Sequence, residues 1–483
     1  MMMPAKPPEV SAFLLDDHPM EECGVVAIYA PKEPVARMAF FSLFALQHRG
    51  QEAAGMAVSD GTSIRIHKDV GLISQVFTPP NLAPLQGDFA IAHTRYSTTG
   101  SSLARNAQPF LIETRHGPVA VAHNGNLVNT AQLRQELLDN GVGLSSSSDT
   151  EVIVQMLAGS PGSNWFERLK NAMGKWQGAY SLVILTRDEV LAVRDPWGFR
   201  PLSVGMLPSG GHAAASESCA LRTIGCEGIR EVKPGEIIAL SNTALRVQQA
   251  IPPHEPEALC TFEHIYFSRP DSSWDGRSIY HVRHRLGIQL AEEAAFPADV
   301  VIAVPDSAIP AAIGYSQALN LPYNIGFIKN RYIGRTFIEP TDSLRKQGVA
   351  LKFNVIVENV QGKRVVMIDD SIVRGNTTGP LVRLLRNAGA SEVHVRITCP
   401  PITHPCFMGV DMGSFNELIA HSKNVEQIRV HIEADSLAFL SLEGMMQAIG
   451  SETGYCNACY TGIYPMEINP SNTKTGFEYG ISS

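Results

Sequence analysis

This chain has no basic block. Lys and Arg total 39 against 47 Asp and Glu, a formal charge of −8 over 483 residues, and no local Lys/Arg run offsets the deficit. That argues against general nucleic-acid binding but leaves small anionic substrates open, because a site's local field need not follow net charge. Also missing is any apolar run of membrane-spanning length. The N-terminus offers only Ala12-Phe13-Leu14-Leu15 before it turns acidic. It therefore lacks the basic start and long apolar core of a secretory signal, and a cytoplasmic location is expected. Cysteine is sparse, at eight residues, and in a reducing compartment these serve as thiolates or metal ligands rather than disulfides. What is present is ordinary globular composition, 44% hydrophobic and 18% charged, at a length that calls for two or more domains.

The most informative stretch is Val365-Val366-Met367-Ile368-Asp369-Asp370-Ser371-Ile372-Val373-Arg374-Gly375-Asn376-Thr377-Thr378. A β-branched apolar run ends in two adjacent carboxylates, a loop of small and hydroxyl residues follows, and a helical pattern begins at Gly379. In an α/β sheet this order puts the loop at the carboxyl end of a strand, with free N–H groups at a helix N-terminus. Asp-Asp-Ser alone would read as a capped turn, but this loop is too long and donor-rich for that. A sugar phosphate is the expected ligand, with its hydroxyls or Mg²⁺ on the two acids.

Other signals divide the chain. Residues 1–22 read as a leader or propeptide. In 23–252, short Gly-punctuated strands are expected at Gly24–Tyr29, Phe89–His93, Val119–His123 and Ala179–Leu185, with helical stretches such as Gln132–Leu138, making an α+β layered domain. Ser145–Ser148 reads as a loop, and Ile251–Pro256 as a linker. Over 253–470 strand and helix patterns alternate, with strands at 300–304, 363–368 and 393–397, so a parallel sheet with crossover helices is expected. Residues 471–483 form a polar tail.

Cys23-Gly24 is followed in order by His48-Arg49-Gly50-Gln51-Glu52, His93-Thr94-Arg95-Tyr96-Ser97-Thr98, His123-Asn124-Gly125-Asn126 and Ser148-Asp149-Thr150-Glu151. Singly these are a buried cysteine, a surface Arg, a turn and an N-cap. Together they resemble the class II glutamine amidotransferases, which are N-terminal-nucleophile enzymes with a layered αββα fold. The resemblance implies cleavage before Cys23, whose thiol then attacks glutamine while its own α-amine acts as base; a reference pKa near 7.7–8.0 suits that role. It implies an oxyanion hole from the Asn124 side chain and the Gly125 N–H. Arg95 would pair with the substrate carboxylate and Asp149 with its α-ammonium, with Thr98 as a polar contact.

The Asp369-Asp370 run likewise resembles the type I phosphoribosyltransferases. This implies ribose contacts from Asp369 and Asp370, and a 5′-phosphate loop including Ser371, Arg374, Gly375, Asn376 and Thr377. It also implies Mg²⁺ near Ser307, Asp369 and Asp370, and pyrophosphate contacts from Arg345 and Lys352 in a flap. The two halves in this order resemble the amidophosphoribosyltransferase family over residues 23–468. That family makes 5-phosphoribosylamine from phosphoribosyl pyrophosphate and glutamine-derived ammonia, the first committed step of purine synthesis. Cys260, Cys406, Cys456 and Cys459 match the ligands of its iron–sulfur branch, which implies a structural [4Fe–4S] cluster. Cys399 lacks a counterpart and is expected only to pack. A homotetramer inhibited by purine nucleotides is implied, with no nucleic-acid or membrane partner. Two other readings were weighed: another class II amidotransferase, disfavoured by the phosphoribosyl loop, and a purine-responsive regulator, disfavoured by the glutaminase half and the acidic charge.

Overall fold

The computed structural model describes residues 23–96, 103–241, 245–330 and 352–468. The leader, Thr98, Arg345 and the 471–483 tail lie outside the described residues. Two compact units emerge. The first holds the described residues within Glu21–Tyr280, Pro405–Gly413 and Ser451–Ser483, and the second those within His281–His404 and Ser414–Gly450. The division thus falls at Tyr280/His281 instead of 252/253, and two later segments return to the first unit. They return because they pair there. Leu259–Cys260 forms a parallel bridge with Tyr455–Cys456, and Arg200 binds the Met408 carbonyl.

The first unit runs through β1 (Gly24–Tyr29), α1 (Val35–Phe44), β2 (Ala53–Ser59), β3 (Ile64–Val70), β4 (Phe89–Arg95), β5 (Phe110–Thr114) and β6 (Gly117–Leu127). Then come α2 (Thr130–Asp139), α3 (Asp149–Gly159), α4 (Trp165–Met173), β7 (Gly178–Leu185), β8 (Val190–Arg194), β9 (Ser203–Met206), β10 (His212–Ala215), β11 (Glu227–Glu231), β12 (Glu236–Leu240) and β13 (Arg246–Gln249). Two antiparallel sheets result, in the orders β11-β9-β10-β1-β4-β2-β3 and β13-β12-β8-β7-β6-β5.

Side-chain alternation along each strand fixes the layering. On β1, Val26 and Ile28 join a core with Val35, Ala39 and Leu43 of α1, while Val25, Ala27 and Tyr29 face the other sheet. On β6, Val119 and Val121 pack under α2 to α4, while Ala120 and Ala122 turn to the inter-sheet core. Each sheet therefore buries one face on helices and the other on its partner sheet, which is the expected αββα order. Alanines at 27, 57, 120, 122, 192 and 214 line the inter-sheet core, where small side chains permit close sheet packing.

The second unit contains β14 (Val300–Ala303), α5 (Ile309–Ala318), β15 (Arg364–Asp369), α6 (Thr378–Asn387), β16 (Glu392–Ile397) and β17 (Ser436–Phe439). The four strands form a sheet in sequence order, every pair parallel. Ala303 lies opposite Ile368, so the loops leaving β14 and β15 emerge side by side at the carboxyl edge. Among the described residues, no helix is long and apolar enough to cross a membrane.

Candidate active sites

Cys23 stands immediately before β1 and is buried. Its Sγ lies 3.3 Å from the Tyr96 carbonyl oxygen, to which the thiol donates. Burial, only partly opposed by the Tyr96 hydrogen bond and the Arg95 charge, pushes the thiol up to about 12. At neutral pH it is therefore protonated and needs a base to become a nucleophile. Arg95 ends β4, buried, with Nη1 3.7 Å from Glu52 Oε2. The His93 ring, also on β4, reaches across to the β6 backbone, with Nε2 3.1 Å from the His123 carbonyl.

β4 and β6 both extend past their apolar runs. β6 continues as a paired strand through Asn124, Gly125 and Asn126, opposite Ser181, Tyr180 and Ala179 of β7. The Asn124 side-chain nitrogen is buried and has no hydrogen-bond partner among the described residues. A buried amide left open in this way is a donor waiting for an acceptor. Gly125 has φ +141°, and a Cβ there would lie 2.1 Å from the Ala179 carbonyl oxygen, so only glycine fits.

Asp149 opens α3 behind the N-cap Ser148. Burial pushes its carboxyl up, but the His123 imidazole and hydrogen bonds from His123, Leu127 and Thr150 outweigh that and hold it below the usual range. The serines before it form a clamp: the N–H and hydroxyl groups of Ser145 and Ser146 all donate to Glu151 at 2.6–2.8 Å.

In the second unit, Asp369 and Asp370 are buried at the end of β15. The Asp370 N–H donates to Asp369 Oδ1 at 3.0 Å, and its carboxylate accepts from the hydroxyls of Ser371 and Ser307. This brings together the three residues expected around Mg²⁺. Their donors are all oxygen, which suits a hard cation completed by water and substrate phosphates. Ser371 and Thr377 are buried, Gly375 has φ +78°, Asn376 is exposed, and Arg374 is ion-paired with Glu417. Thr377 immediately precedes α6, so the loop leads into the N-terminus of a ten-residue helix. Lys352 is half-buried, with Nζ 5.7 Å from the Phe353 ring centre.

A third grouping lies in the first unit. Cys260, Cys406, Cys456 and Cys459 line one small cavity, walled by apolar side chains including Phe199, Phe262 and Met412. Cys260 is in register with Cys456 across the two-residue parallel bridge. Among the described residues, no three His, Cys, Asp or Glu groups are placed to share one metal ion. A four-iron cluster makes a different demand, since each thiolate binds a separate iron around a shared core. Cys399 is fully buried elsewhere, and Cys219 and Cys226 belong to the core under α1.

Sequence reasoning missed one network. Arg49 is fully buried between Glu217, at 2.5 Å, and Glu263, to which it is also ion-paired. Arg49 stands in a recognised motif, but its partners lie 168 and 214 residues away, with no local pattern to mark them.

Residues 93–223 match the glutamine amidotransferase domain model and residues 276–405 the phosphoribosyl transferase domain model. The chain is 51% identical over 458 residues to an amidophosphoribosyltransferase of Synechococcus elongatus, covering 94% of this chain and 93% of that protein. The chain belongs to the amidophosphoribosyltransferase family. Two solved structures agree, each with TM-score 0.88 and 45% identity over 93% of this chain. One is the glutamine phosphoribosylpyrophosphate amidotransferase of B. subtilis complexed with ADP and GMP, 99% covered. The other is described as the allosteric regulatory enzyme of purine biosynthesis, 97% covered. As a member of this family, the protein transfers glutamine-derived ammonia to phosphoribosyl pyrophosphate. The products are 5-phosphoribosylamine, glutamate and pyrophosphate, and the reaction is the first committed step of purine biosynthesis.

Proposed function

We propose that Cys23 is the glutaminase nucleophile and becomes competent once the chain is cut before it. Its freed α-amine then takes the thiol proton, and the sulfur attacks the glutamine side-chain amide carbon. Asn124 Nδ2 and the Gly125 N–H hold the developing oxyanion, the α-ammonium passes the thiol's proton to the amide nitrogen, which leaves as ammonia, and water cleaves the thioester to glutamate and the free thiol. Arg95 holds the substrate carboxylate, and Asp149, with Thr98 nearby, holds its ammonium. The observation that carries this reading is the buried Asn124 amide nitrogen, without a hydrogen-bond partner among the described residues, on a strand bridged to β4 by His93.

In the second unit, Ser371, Arg374, Gly375, Asn376 and Thr377 hold the 5′-phosphate and Asp369 and Asp370 the ribose hydroxyls. Arg345 and Lys352 contact the pyrophosphate. Mg²⁺ would be held by Ser307, Asp369 and Asp370, and it supplies charge neutralisation on the leaving pyrophosphate. The grouping of the four cysteines around one apolar cavity supports the iron–sulfur branch, where a [4Fe–4S] group acts as a structural cross-link. The B. subtilis relative bound to ADP and GMP supports purine-nucleotide inhibition of this chain as well. A homotetramer in the cytoplasm completes the reading.

Mass spectrometry of anaerobically purified protein, treated with an electrophilic glutamine analogue, tests it. The expected result is an N-terminal peptide beginning at Cys23, the adduct on that residue, and about four iron and four acid-labile sulfide per chain. A fully glutamine-active chain with Met1 intact contradicts the free-amine mechanism. Iron near zero contradicts the cluster.

A further inference from the structure

We propose that Asn126 is a positioning residue of the oxyanion strand, acting through the 405–413 loop. This rests on the reading of Asn124 and Gly125 as the oxyanion hole. Asn126 follows them on β6, and its Nδ2 donates to the Phe407 carbonyl at 2.9 Å, across 281 residues of chain. The next carbonyl of that loop, Met408, accepts from Arg200 Nε at 3.0 Å and Nη2 at 2.5 Å. The residue after it, Gly409, has φ +110°, and a Cβ there would lie 3.2 Å from the Gly125 carbonyl carbon and 3.3 Å from its Cα. Gly125 also abuts the Ala179 carbonyl of β7. Gly125, the residue that supplies the oxyanion N–H, is therefore packed against both β7 and a loop that Asn126 and Arg200 hold in place. The loop is closed on itself by the Cys406 N–H, which donates to the Met412 carbonyl at 2.9 Å.

Oxyanion donors stabilise charge only when held at the right point before the reaction begins. A bonded loop backing the strand supplies that constraint without touching substrate. Asn126→Asp keeps the shape but sets a carboxylate against a carbonyl oxygen, releasing the loop. Gly409→Ala disturbs the same contact from the loop side.

The test measures glutamate release from glutamine in the full chain, with Asn124→Ala as reference. Each of Asn126→Asp and Gly409→Ala is expected to lower kcat ~10–100-fold while glutamine KM moves by less than about threefold. Melting temperature and iron content should stay close to those of the parent. Asn126→Asp combined with Asn124→Ala should be slowed by less than the product of the two single effects, because both act on one group of donors. Parent-like kcat in both single variants overturns the proposal, as does a double variant slowed by the product of the single effects. Parent-like kcat in Asn124→Ala overturns the oxyanion assignment beneath it, a result distinct from the other two. If Asn126→Asp does not fold, Gly409→Ala carries the same comparison.

Discussion

Asp195 illustrates what one buried carboxylate does to this molecule. It follows β8 and accepts hydrogen bonds from the N–H groups of Tyr180, Trp197 and Phe199, at 2.9–3.3 Å. Burial raises its carboxyl to about 6, despite Arg194 and those N–H donors. Its turn leads on to Phe199, whose carbonyl accepts the Cys260 N–H. Between about pH 4 and 6 the folded state keeps a proton on Asp195 that the unfolded chain releases, so this contribution to stability falls as pH rises. Asp195→Asn adds a constant offset, because its NH₂ faces N–H donors, but removes the titration. Urea unfolding across that range should show the parent losing ~3 kcal/mol relative to the variant. Parallel stability curves would contradict the raised pKa. None of this was legible in the sequence, where Asp195 carries no motif. Cys23, Arg95, Asn124 and Asp149 were legible because each sits in a recognisable local run. Asn126 lies in the same run as Asn124, but the partner that gives it a role is in a loop 281 residues away.

At the level of elements, apolar periodicity found the interiors of strands and missed their functional ends. The expected strand at Val119–His123 is the apolar middle of β6, which runs from Gly117 to Leu127. The polar end carrying Asn124 and Gly125 stays a strand because β7 pairs with it, a tertiary cause that hydrophobic pattern cannot report. Ser145–Ser148 similarly read as a plain loop and is indeed outside regular structure, yet its last three serines are buried. Its donors converge on Glu151 and so fix the approach to Asp149. Glu151→Ala leaves those donors unmet and loosens the start of α3. The expected outcome is a loss of ~1–3 kcal/mol in stability together with a higher glutamine KM. Denaturant unfolding and glutaminase kinetics check both; an unchanged KM would show that the clamp does not serve the site.

Across the whole chain, two reactions occupy two compact units of different construction. One is an antiparallel sandwich that holds a thiol, and the other a parallel sheet that ends in a phosphate loop. Order of motifs made both folds legible. Segments 405–413 and 451–468 were assigned to the second domain because they follow it in sequence, but three of the four grouped cysteines lie on them and Cys260 lies in the first unit. The cavity that those cysteines line, the Asn126 tether and the Arg200 clamp all draw these segments back.

The central claim is that Cys23 makes the ammonia and that the Asp369-Asp370 loop holds what the ammonia attacks. Pyrophosphate release from phosphoribosyl pyrophosphate, measured with glutamine or with ammonium as the nitrogen source, tests it most directly in the Cys23→Ala variant. Glutamine is expected to support no reaction in this variant, while ammonium supports it at a rate close to the parent's. Retained glutamine-dependent release, or loss of both reactions in a folded variant, would contradict it.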